Sequence, residues 1–331
     1  MRNEIDPSFL DSRRSLLLLP TNLRRLVRAG RKFEFTWRYL FNLQPTLAFQ
    51  FRSSSLKGEA ARVLADLNRN GIAITSARKL LGARSCFNEL SWAVDGLEDE
   101  LTSHLRTVRT TADDIDAVGR KTFIVELLGA QPVLDLNNVY SRFALQKPLL
   151  QIANTYFGMY TRLRYYNVWH TFATRGKPRE SQLWHRDRED YYILKVFVYL
   201  SDVDESAGPF TYAAGSHLKG KLRKQPGYSL EGDIKRSNDS QMAEVVSPER
   251  WIKGVGPRGT IIFADTRGYH KGGLARERDR IMYTCMFTSR ASQSKEFLIR
   301  PDRLSLPLDK EQAFALDAPG QRVWPIRMLR G

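Results

Sequence analysis

The sequence has only two cysteines, Cys86 and Cys285, among 331 residues. Two thiols this far apart cannot form a disulfide framework or a four-thiolate zinc site. Small domains stabilised by several disulfides or by a four-cysteine zinc site are therefore excluded. We expect both cysteines to be buried and reduced. With 42% hydrophobic and 11% aromatic residues, the composition is that of a globular protein with a sizeable core.

Long apolar runs are also absent. A membrane-spanning helix needs roughly 18 to 20 consecutive apolar residues, whereas the run from Leu16 to Leu19 ends at Pro20. The same run is shorter than the roughly 7 to 15 residues of a secretory signal core, although Arg13 and Arg14 precede it. The sequence therefore predicts a cytoplasmic protein without a membrane span.

Acidic residues are too few to balance the basic ones. There are 36 Asp and Glu against 52 Lys and Arg, which gives a net charge of +16 and favours anionic partners. Basic residues are dense among the leucines and aromatics of residues 13 to 38, a pattern of either a solvated helix face or an amphipathic surface segment. No zinc-finger spacing, RNA-binding aromatic motif or repeat accompanies the charge, which argues against nucleic-acid recognition. Nothing in the pattern indicates an oligomeric state.

The first half of the chain is predicted to be helical. Residues 1 to 55 lack clear periodicity and predict an N-terminal arm with short helices. From Leu56 onwards, apolar residues at helical spacing predict a helix that Gly71 ends, followed by a strand over Ile72 to Thr75. Further helices are predicted over Phe87 to Val108, over Lys147 to Phe157, and from an acidic turn at Asp113 and Asp114 towards Leu128.

The second half is predicted to be a β domain. Segments rich in β-branched and aromatic residues predict strands over Arg162 to Phe172, Ile193 to Leu200, Thr260 to Phe263 and Ile281 to Phe287. Short strands without long helices between them indicate an antiparallel sandwich or jelly-roll, with the N-terminal helices packed on one sheet. The polar stretch from Leu218 to Arg258 is predicted to be a long loop that serves as a lid or binding surface, or is disordered.

Two of the five histidines fit a metal site. His185 and Asp187 are separated by one residue, so on an extended segment both side chains point to the same side and can bind one ion. His270, at the end of the apolar strand from Gly259 to Ala264, supplies a third ligand from a distant part of the chain. Two imidazoles and one carboxylate form the facial triad of non-haem Fe(II) oxygenases, although another metal in a cupin-like protein uses a similar set.

Cationic residues near these ligands suit an acidic cosubstrate. Arg280, at the start of a strand, can grip the distal carboxylate of 2-oxoglutarate through two parallel hydrogen bonds, with Arg276 and Arg278 as alternatives. Lys195 lies among apolar neighbours on another strand, where it either contacts the cosubstrate or pairs with an acid. His170 has either a structural role or a place in the pocket wall.

Three further side chains belong to the same part of the sequence. We expect His217 to satisfy a turn, with contact to the substrate as the alternative. Tyr166 and Trp184 can pack beside the cosubstrate, but aromatic residues in a β core need no ligand to explain them.

The motifs together resemble the phytanoyl-CoA hydroxylase family of Fe(II)- and 2-oxoglutarate-dependent dioxygenases. The resemblance covers about residues 160 to 290 and rests on these segments: Trp184 to Asp187, Ile193 to Asp202, Gly208 to Phe210, Ala214 to His217, and Gly259 to Asp265 with His270 and Arg280. It implies a double-stranded β-helix core, iron bound by His185, Asp187 and His270, and 2-oxoglutarate held by Arg280. Many members have Pro where this chain has Ala214, a change in a turn away from the ligands.

The resemblance implies an enzyme that hydroxylates a small or lipid-linked metabolite and converts 2-oxoglutarate and dioxygen to succinate and carbon dioxide. Asp187 favours hydroxylation, because halogenating relatives replace this carboxylate with a small residue. The alternative is a non-catalytic cupin-like protein that docks on a membrane or nucleic acid through its basic surface. We divide the chain into an N-terminal arm (1 to 55), a dioxygenase domain (56 to 300) with its β core at about 158 to 290, and a C-terminal extension (301 to 331).

Overall fold

The structure is a computed structural model that describes residues 29–51, 55–83, 86–110, 112, 122–231, 233–301 and 307–318. Most of the basic segment predicted at residues 13 to 38 and the acidic turn at Asp113 and Asp114 lie outside these residues. No helix in the described ranges is long and apolar enough to cross a membrane.

Helices dominate the described chain before residue 158. They are α1 (Glu34–Thr36), α2 (Leu43–Gln50), α3 (Gly58–Asn70), α4 (Ala77–Leu81), α5 (Cys86–Glu100), α6 (Thr102–Arg109), α7 (Val139–Ala144) and α8 (Lys147–Phe157), with a π-helical turn at Trp37–Phe41. Two short helices, α9 (Asp239–Ala243) and α10 (Lys310–Leu316), follow later. The helices predicted from Leu56 to Gly71 and over Lys147 to Phe157 are confirmed, the one predicted over Phe87 to Val108 is present as α5 and α6, and Gly71 ends α3 in the left-handed conformation with φ of 82°.

The strands are β1 (Ile72–Ser76), β2 (Ile124–Glu126), β3 (Arg162–Thr171), β4 (Leu194–Tyr199), β5 (Phe210–Ala213), β6 (Ser229–Glu231), β7 (Ile234–Arg236), β8 (Trp251–Lys253), β9 (Thr260–Asp265), β10 (His270–Gly272) and β11 (Arg280–Thr288). The large sheet has the order β1-β9-β4-β11-β3-β2, and the small sheet has the order β10-β5-β8. A separate hairpin joins β6 to β7. All four predicted strands of the second half are present.

The chain alternates between the two sheets. After β3 in the large sheet, His185 pairs with His270 at the edge of the small sheet, and the chain then returns to the large sheet as β4. Strands β5, β8 and β10 belong to the small sheet, whereas β9 and β11 belong to the large one. This alternation is that of a double-stranded β-helix, so the predicted jelly-roll fold is confirmed.

Side-chain alternation separates an inner from an outer face of the large sheet. On β4, Val196 and Val198 pack with the helices, whereas Phe197 and Tyr199 pack against Phe210 of the small sheet. Successive residues of a strand point to opposite faces, so this pattern places the N-terminal helices on the outer face. The space between the two sheets is the interior that contains the candidate site.

Three predictions of local structure are wrong. The helix predicted to run towards Leu128 is instead the strand β2 in the described residues from 122 onwards, where it pairs with β3 at the sheet edge. The loop predicted from Leu218 to Arg258 contains β6, β7, α9 and β8 and packs on Trp184 through Met242 and Val246. Cys86 is free but only half-buried, whereas Cys285 is free and buried as expected.

Candidate metal centre

His185, Asp187 and His270 converge on one point. One ligand atom from each lies within 4.8 Å of the other two, which is the spacing of ligands around a shared ion. Backbone pairing explains the approach, because the amide of each histidine donates to the carbonyl of the other at 3.0 Å. The predicted third ligand from a distant segment is therefore next to the first two.

Both imidazoles are held in the form that binds metal. His185 Nδ1 lies 2.8 Å from the carbonyl oxygen of Leu183, and His270 Nδ1 lies 3.0 Å from that of Gly268. A carbonyl can only accept, so each Nδ1 carries the proton and each Nε2 keeps its lone pair free. Burial lowers the pKa of His270 to about 4, and burial together with the neighbouring His270 lowers the pKa of His185 well below its usual range. Both rings are therefore neutral at pH 7.

Asp187 is an ionised, largely buried carboxylate. Its backbone amide donates to Thr266 at 2.9 Å, which fixes the segment after the small-sheet edge. Burial alone would raise the pKa of Asp187, but Lys195 and the two histidines outweigh it and hold this pKa far below its ordinary value. Lys195 points inward from β4 with Nζ 2.7 Å from Asp187 Oδ2, so its pairing with an acid is observed. Contact between Lys195 and a cosubstrate stays a prediction.

Arg280 is a buried cation without a matching anion. Its side chain is 2% exposed and shares the inner face of β11 with Met282, which packs between the sheets. Among the described residues, its Nε and Nη1 have no hydrogen-bond partner, and it forms no salt bridge with a carboxylate. Burial lowers the pKa of Arg280 from its usual value. A charged guanidinium that is buried without an anionic partner is energetically unfavourable.

Arg280 lies close to the metal ligands on the facing sheet. A Cβ atom at Gly272 would be 3.8 Å from Arg280 Nη2. Gly272 follows His270 by two residues on β10, so the two positions are about 7 Å apart on the same face. The unpaired guanidinium and the three ligands thus border one interior space.

The remaining predicted candidates lie elsewhere. Arg276 Nη1 donates to carbonyl oxygens of residues 174 to 176, and Arg278 pairs with Asp204, so neither is free to take the role of Arg280. His170 faces the outer side of the sheet between Glu98 and Asp279, which supports its structural role. His217 Nε2 lies 3.2 Å from the carbonyl oxygen of Asn68.

The two aromatic residues considered beside the cosubstrate pack away from it. Tyr166 belongs to the helix-side core and donates to the carbonyl of Val133 at 2.7 Å. Trp184 packs under the 218–258 segment and donates to Asp239 at 2.7 Å. Both therefore have structural explanations.

Three inner-face residues were not identified from the sequence. Trp169 Nε1 is buried without a hydrogen-bond partner among the described residues, and the Tyr165 hydroxyl is close to both Thr284 and Lys195. Alternation from Arg280 would have found Thr284, which lies on the same face of β11. For β3, the β-bulge opposite Met286 and Phe287 shifts the register and hides the signal.

The sequence matches no protein-family profile. It also matches no curated protein. Solved structures similar to this chain include EctD from S. alaskensis with 2-oxoglutarate and 5-hydroxyectoine, which is 17% identical over 74% of this chain and 83% of its own, with a TM-score of 0.49. The epimerase SnoN in complex with Fe3+, alpha ketoglutarate and nogalamycin RO is 19% identical over 81% of this chain and 93% of its own, with a TM-score of 0.42.

Proposed function

We propose that the chain is an Fe(II)- and 2-oxoglutarate-dependent dioxygenase that hydroxylates a small molecule. The observation that carries the proposal is the convergence of His185, Asp187 and His270 on one point, next to the unpaired guanidinium of Arg280. Two neutral imidazoles and one carboxylate are the ligand set of mononuclear oxygenases, which leaves positions on the metal for cosubstrate and dioxygen. A structural zinc site would instead require four protein ligands.

The donor set fits a divalent ion of the first transition row. His185, Asp187 and His270 would hold Fe(II), which when bound supplies the activation of dioxygen, coupled to the oxidative decarboxylation of 2-oxoglutarate to succinate and carbon dioxide. In the absence of a metal, the ammonium of Lys195 supplies positive charge to Asp187. The donor set thus already favours a cation at this point.

Arg280 supports the proposed binding of 2-oxoglutarate. Its guanidinium, with Nε and Nη1 unpaired, is suited to hydrogen-bond a carboxylate, and its burial makes such a pair strong. A dicarboxylate that reaches from the metal ligands to Arg280 would supply the missing negative charge. The apolar residues between the sheets, such as Phe197 and Phe210, would exclude water from the same space.

Four narrower statements belong to the proposal. Asp187 supplies a carboxylate ligand, so hydroxylation is favoured over halogenation. Membership of the phytanoyl-CoA hydroxylase family, a cytoplasmic location and the three-part division of the chain are proposed on the sequence motifs.

The test is anaerobic addition of Fe(II) and 2-oxoglutarate to the protein, followed by absorption spectroscopy. We expect a weak visible charge-transfer band. His185→Ala should abolish this band, and Arg280→Ala should raise the 2-oxoglutarate concentration that is needed to form it. His104→Ala is the control, because His104 is exposed on α6 and should leave the band unchanged. A wild-type protein with no band and no 2-oxoglutarate-dependent succinate formation would instead be the non-catalytic cupin-like binding protein.

A further inference from the structure

A separate cavity of about 670 Å³ adjoins the metal ligands. Its volume is within the range of small-molecule sites. Arg186 and Arg188, which flank Asp187, and Tyr269, which precedes His270, contribute to its wall. Arg267 also lines it and donates from Nη1 to the backbone oxygen of Asp187 at 3.1 Å. None of the three ligands lines the cavity, so it is distinct from the metal centre.

Positive charge dominates the wall. The cationic side chains of the wall include Lys32, Arg186, Arg188, Lys235 and Arg267. The carboxylates are those of Glu189 and Asp190. The excess is therefore local and does not merely reflect the net charge of the whole chain.

Asp190 is already occupied by hydrogen-bond donors. Its Oδ1 accepts from Trp37 Nε1 at 2.7 Å and from the amide of Tyr191 at 2.8 Å, and its Oδ2 accepts from the amide of Ser289 at 2.6 Å. The carboxylate is buried behind these donors. Of the two carboxylates Glu189 is the exposed one, and together they leave the cations of the wall in excess.

The cavity cations contact neutral groups instead. Arg186 donates to the carbonyls of Arg267 and Ser216 at 2.7 and 3.1 Å, and Lys235 Nζ lies 3.4 Å from the amide oxygen of Gln225. Arg267 Nε is buried without a hydrogen-bond partner among the described residues.

The same cations form no direct ion pair with an acid. Within the described ranges, none of the five forms a salt bridge, whereas Arg62, Arg162 and Arg258 elsewhere do. Five cations without a salt bridge around one cavity form a site for an anion.

Aromatic rings hold two of these cations in place. The Arg186 guanidinium lies 4.5 Å from the centre of the Tyr269 ring, and Lys235 Nζ lies 3.9 Å from that of Tyr228. Both rings line the cavity, so the cationic groups are positioned before a ligand arrives. Such preorganisation reduces the entropy that binding must overcome.

We propose that this cavity binds the phosphate or pyrophosphate group of a small molecule. Several cations around one space match a multiply charged group better than a single carboxylate, and guanidinium groups pair with phosphate oxygens in two-pronged geometry. Because the wall includes the residues on either side of Asp187, the bound group lies against the backbone segment that carries two of the metal ligands. Its role as the handle by which the substrate is held rests on the proposed dioxygenase function.

The experiment measures pyrophosphate binding to the metal-free protein by calorimetry. We expect saturable binding that weakens by roughly tenfold or more in the double variant Arg188→Gln with Lys235→Gln. The control variant, Arg69→Gln with Arg78→Gln, removes the same charge from exposed positions away from the cavity and should change the affinity less than roughly twofold. The charge-transfer band with Fe(II) and 2-oxoglutarate is measured on all three proteins and should be unchanged.

The outcomes separate the two proposals. A wild-type protein that forms the band but does not bind pyrophosphate overturns the anion site and leaves the dioxygenase proposal intact. Equal weakening in the cavity and control variants also overturns the anion site, because it would show only a response to net charge. Saturable binding without a band supports the anion site and refutes the dioxygenase.

Discussion

Lys195 Nζ lies 2.7 Å from Asp187 Oδ2, so a cation from the large sheet neutralises the carboxylate of the proposed metal site. Both side chains are largely buried, and each holds the other in its charged form. For Lys195, burial alone would lower the pKa, but Asp187 outweighs it and raises the pKa above the usual range. The pair therefore preserves an ionised ligand when no metal is present.

Removing this lysine should destabilise the metal-free protein far more than the metal-bound one. Lys195→Met leaves a buried, uncompensated carboxylate, which lowers the free energy of unfolding by about 3 kcal/mol. Saturating Mn(II), a redox-stable substitute for Fe(II), restores positive charge at Asp187 and should reduce this loss by half or more. Urea unfolding with and without the ion measures both values.

The control for this prediction is Lys253→Met. Lys253 forms an exposed pair with Glu205 at 2.9 Å, and loss of such a pair reduces stability by less than about 1 kcal/mol with or without Mn(II). If Lys195→Met lost the same stability in both conditions, the ion would not be replacing the lysine charge at Asp187.

The metal ligands could be predicted from the sequence because short sequence patterns identify them. The one-residue separation of His185 and Asp187, and the strand that ends before His270, each specify a position on the fold. The partner of Lys195 could not be predicted in the same way, because β4 had to be placed beside the ligand segment first. The sequence alone left both contact with the cosubstrate and pairing with an acid open.

The errors have a different physical origin. The 122–128 segment is a short strand at the sheet edge, where pairing with β3 overrides a weak local pattern. The 218–258 segment is polar along its length, yet Met242 and Val246 bury enough apolar surface against Trp184 to order it. A few scattered apolar residues in a long polar stretch give too little periodicity to predict short elements.

Arg280 should lower the free energy of unfolding, although it is needed for cosubstrate binding. Arg280→Met replaces a buried, unpaired cation with an apolar chain, so we expect the protein without 2-oxoglutarate to gain about 1 to 2 kcal/mol of unfolding free energy. The same variant should bind 2-oxoglutarate at least roughly a hundredfold more weakly, because a desolvated charge pair is lost. Urea unfolding and anaerobic titration of the charge-transfer band measure the two effects.

Arg164→Met is the matched control for this variant. Arg164 is also buried, but it donates to Thr288 Oγ1 at 2.8 Å and to the Ser289 carbonyl at 3.1 Å. Its loss leaves acceptors unsatisfied, so stability should fall by about 1 to 3 kcal/mol. A stability loss of that size in Arg280→Met would indicate that Arg280 already has a satisfied structural role.

Gly71 should tolerate no side chain, because it joins α3 to β1 against the small sheet. Its φ is 82°, and a Cβ atom would overlap the Tyr212 hydroxyl and lie 2.7 Å from His217 Nδ1. We expect Gly71→Ala to reduce the free energy of unfolding by about 3 kcal/mol or more, from backbone strain and overpacking together. Gly129→Ala, at φ of 76° with open space around it, should lose only about 1 kcal/mol from strain. Equal losses in urea unfolding would mean that the packing around Gly71 relaxes freely.

The stability of the protein should decrease with rising pH through the titration of His170. Burial alone would lower the pKa of His170, but hydrogen bonds to Asp279 and Glu98 outweigh it and raise the pKa from its usual 6.5 to about 9. Because the folded state holds this proton more tightly, the contribution is complete below pH 6.5 and is lost as pH rises to about 9. The change is on the order of 2 to 3 kcal/mol.

Urea unfolding between pH 6 and pH 9.5 measures this loss. We expect His170→Gln to be less stable than the wild type at pH 6 and to show a flatter dependence on pH, because glutamine cannot carry the proton that bridges the two carboxylates. His104→Ala should keep the wild-type slope, since His104 is exposed on α6. A His170→Gln variant with the wild-type slope would assign the pH dependence to another group and remove His170 as the link between α5 and the large sheet.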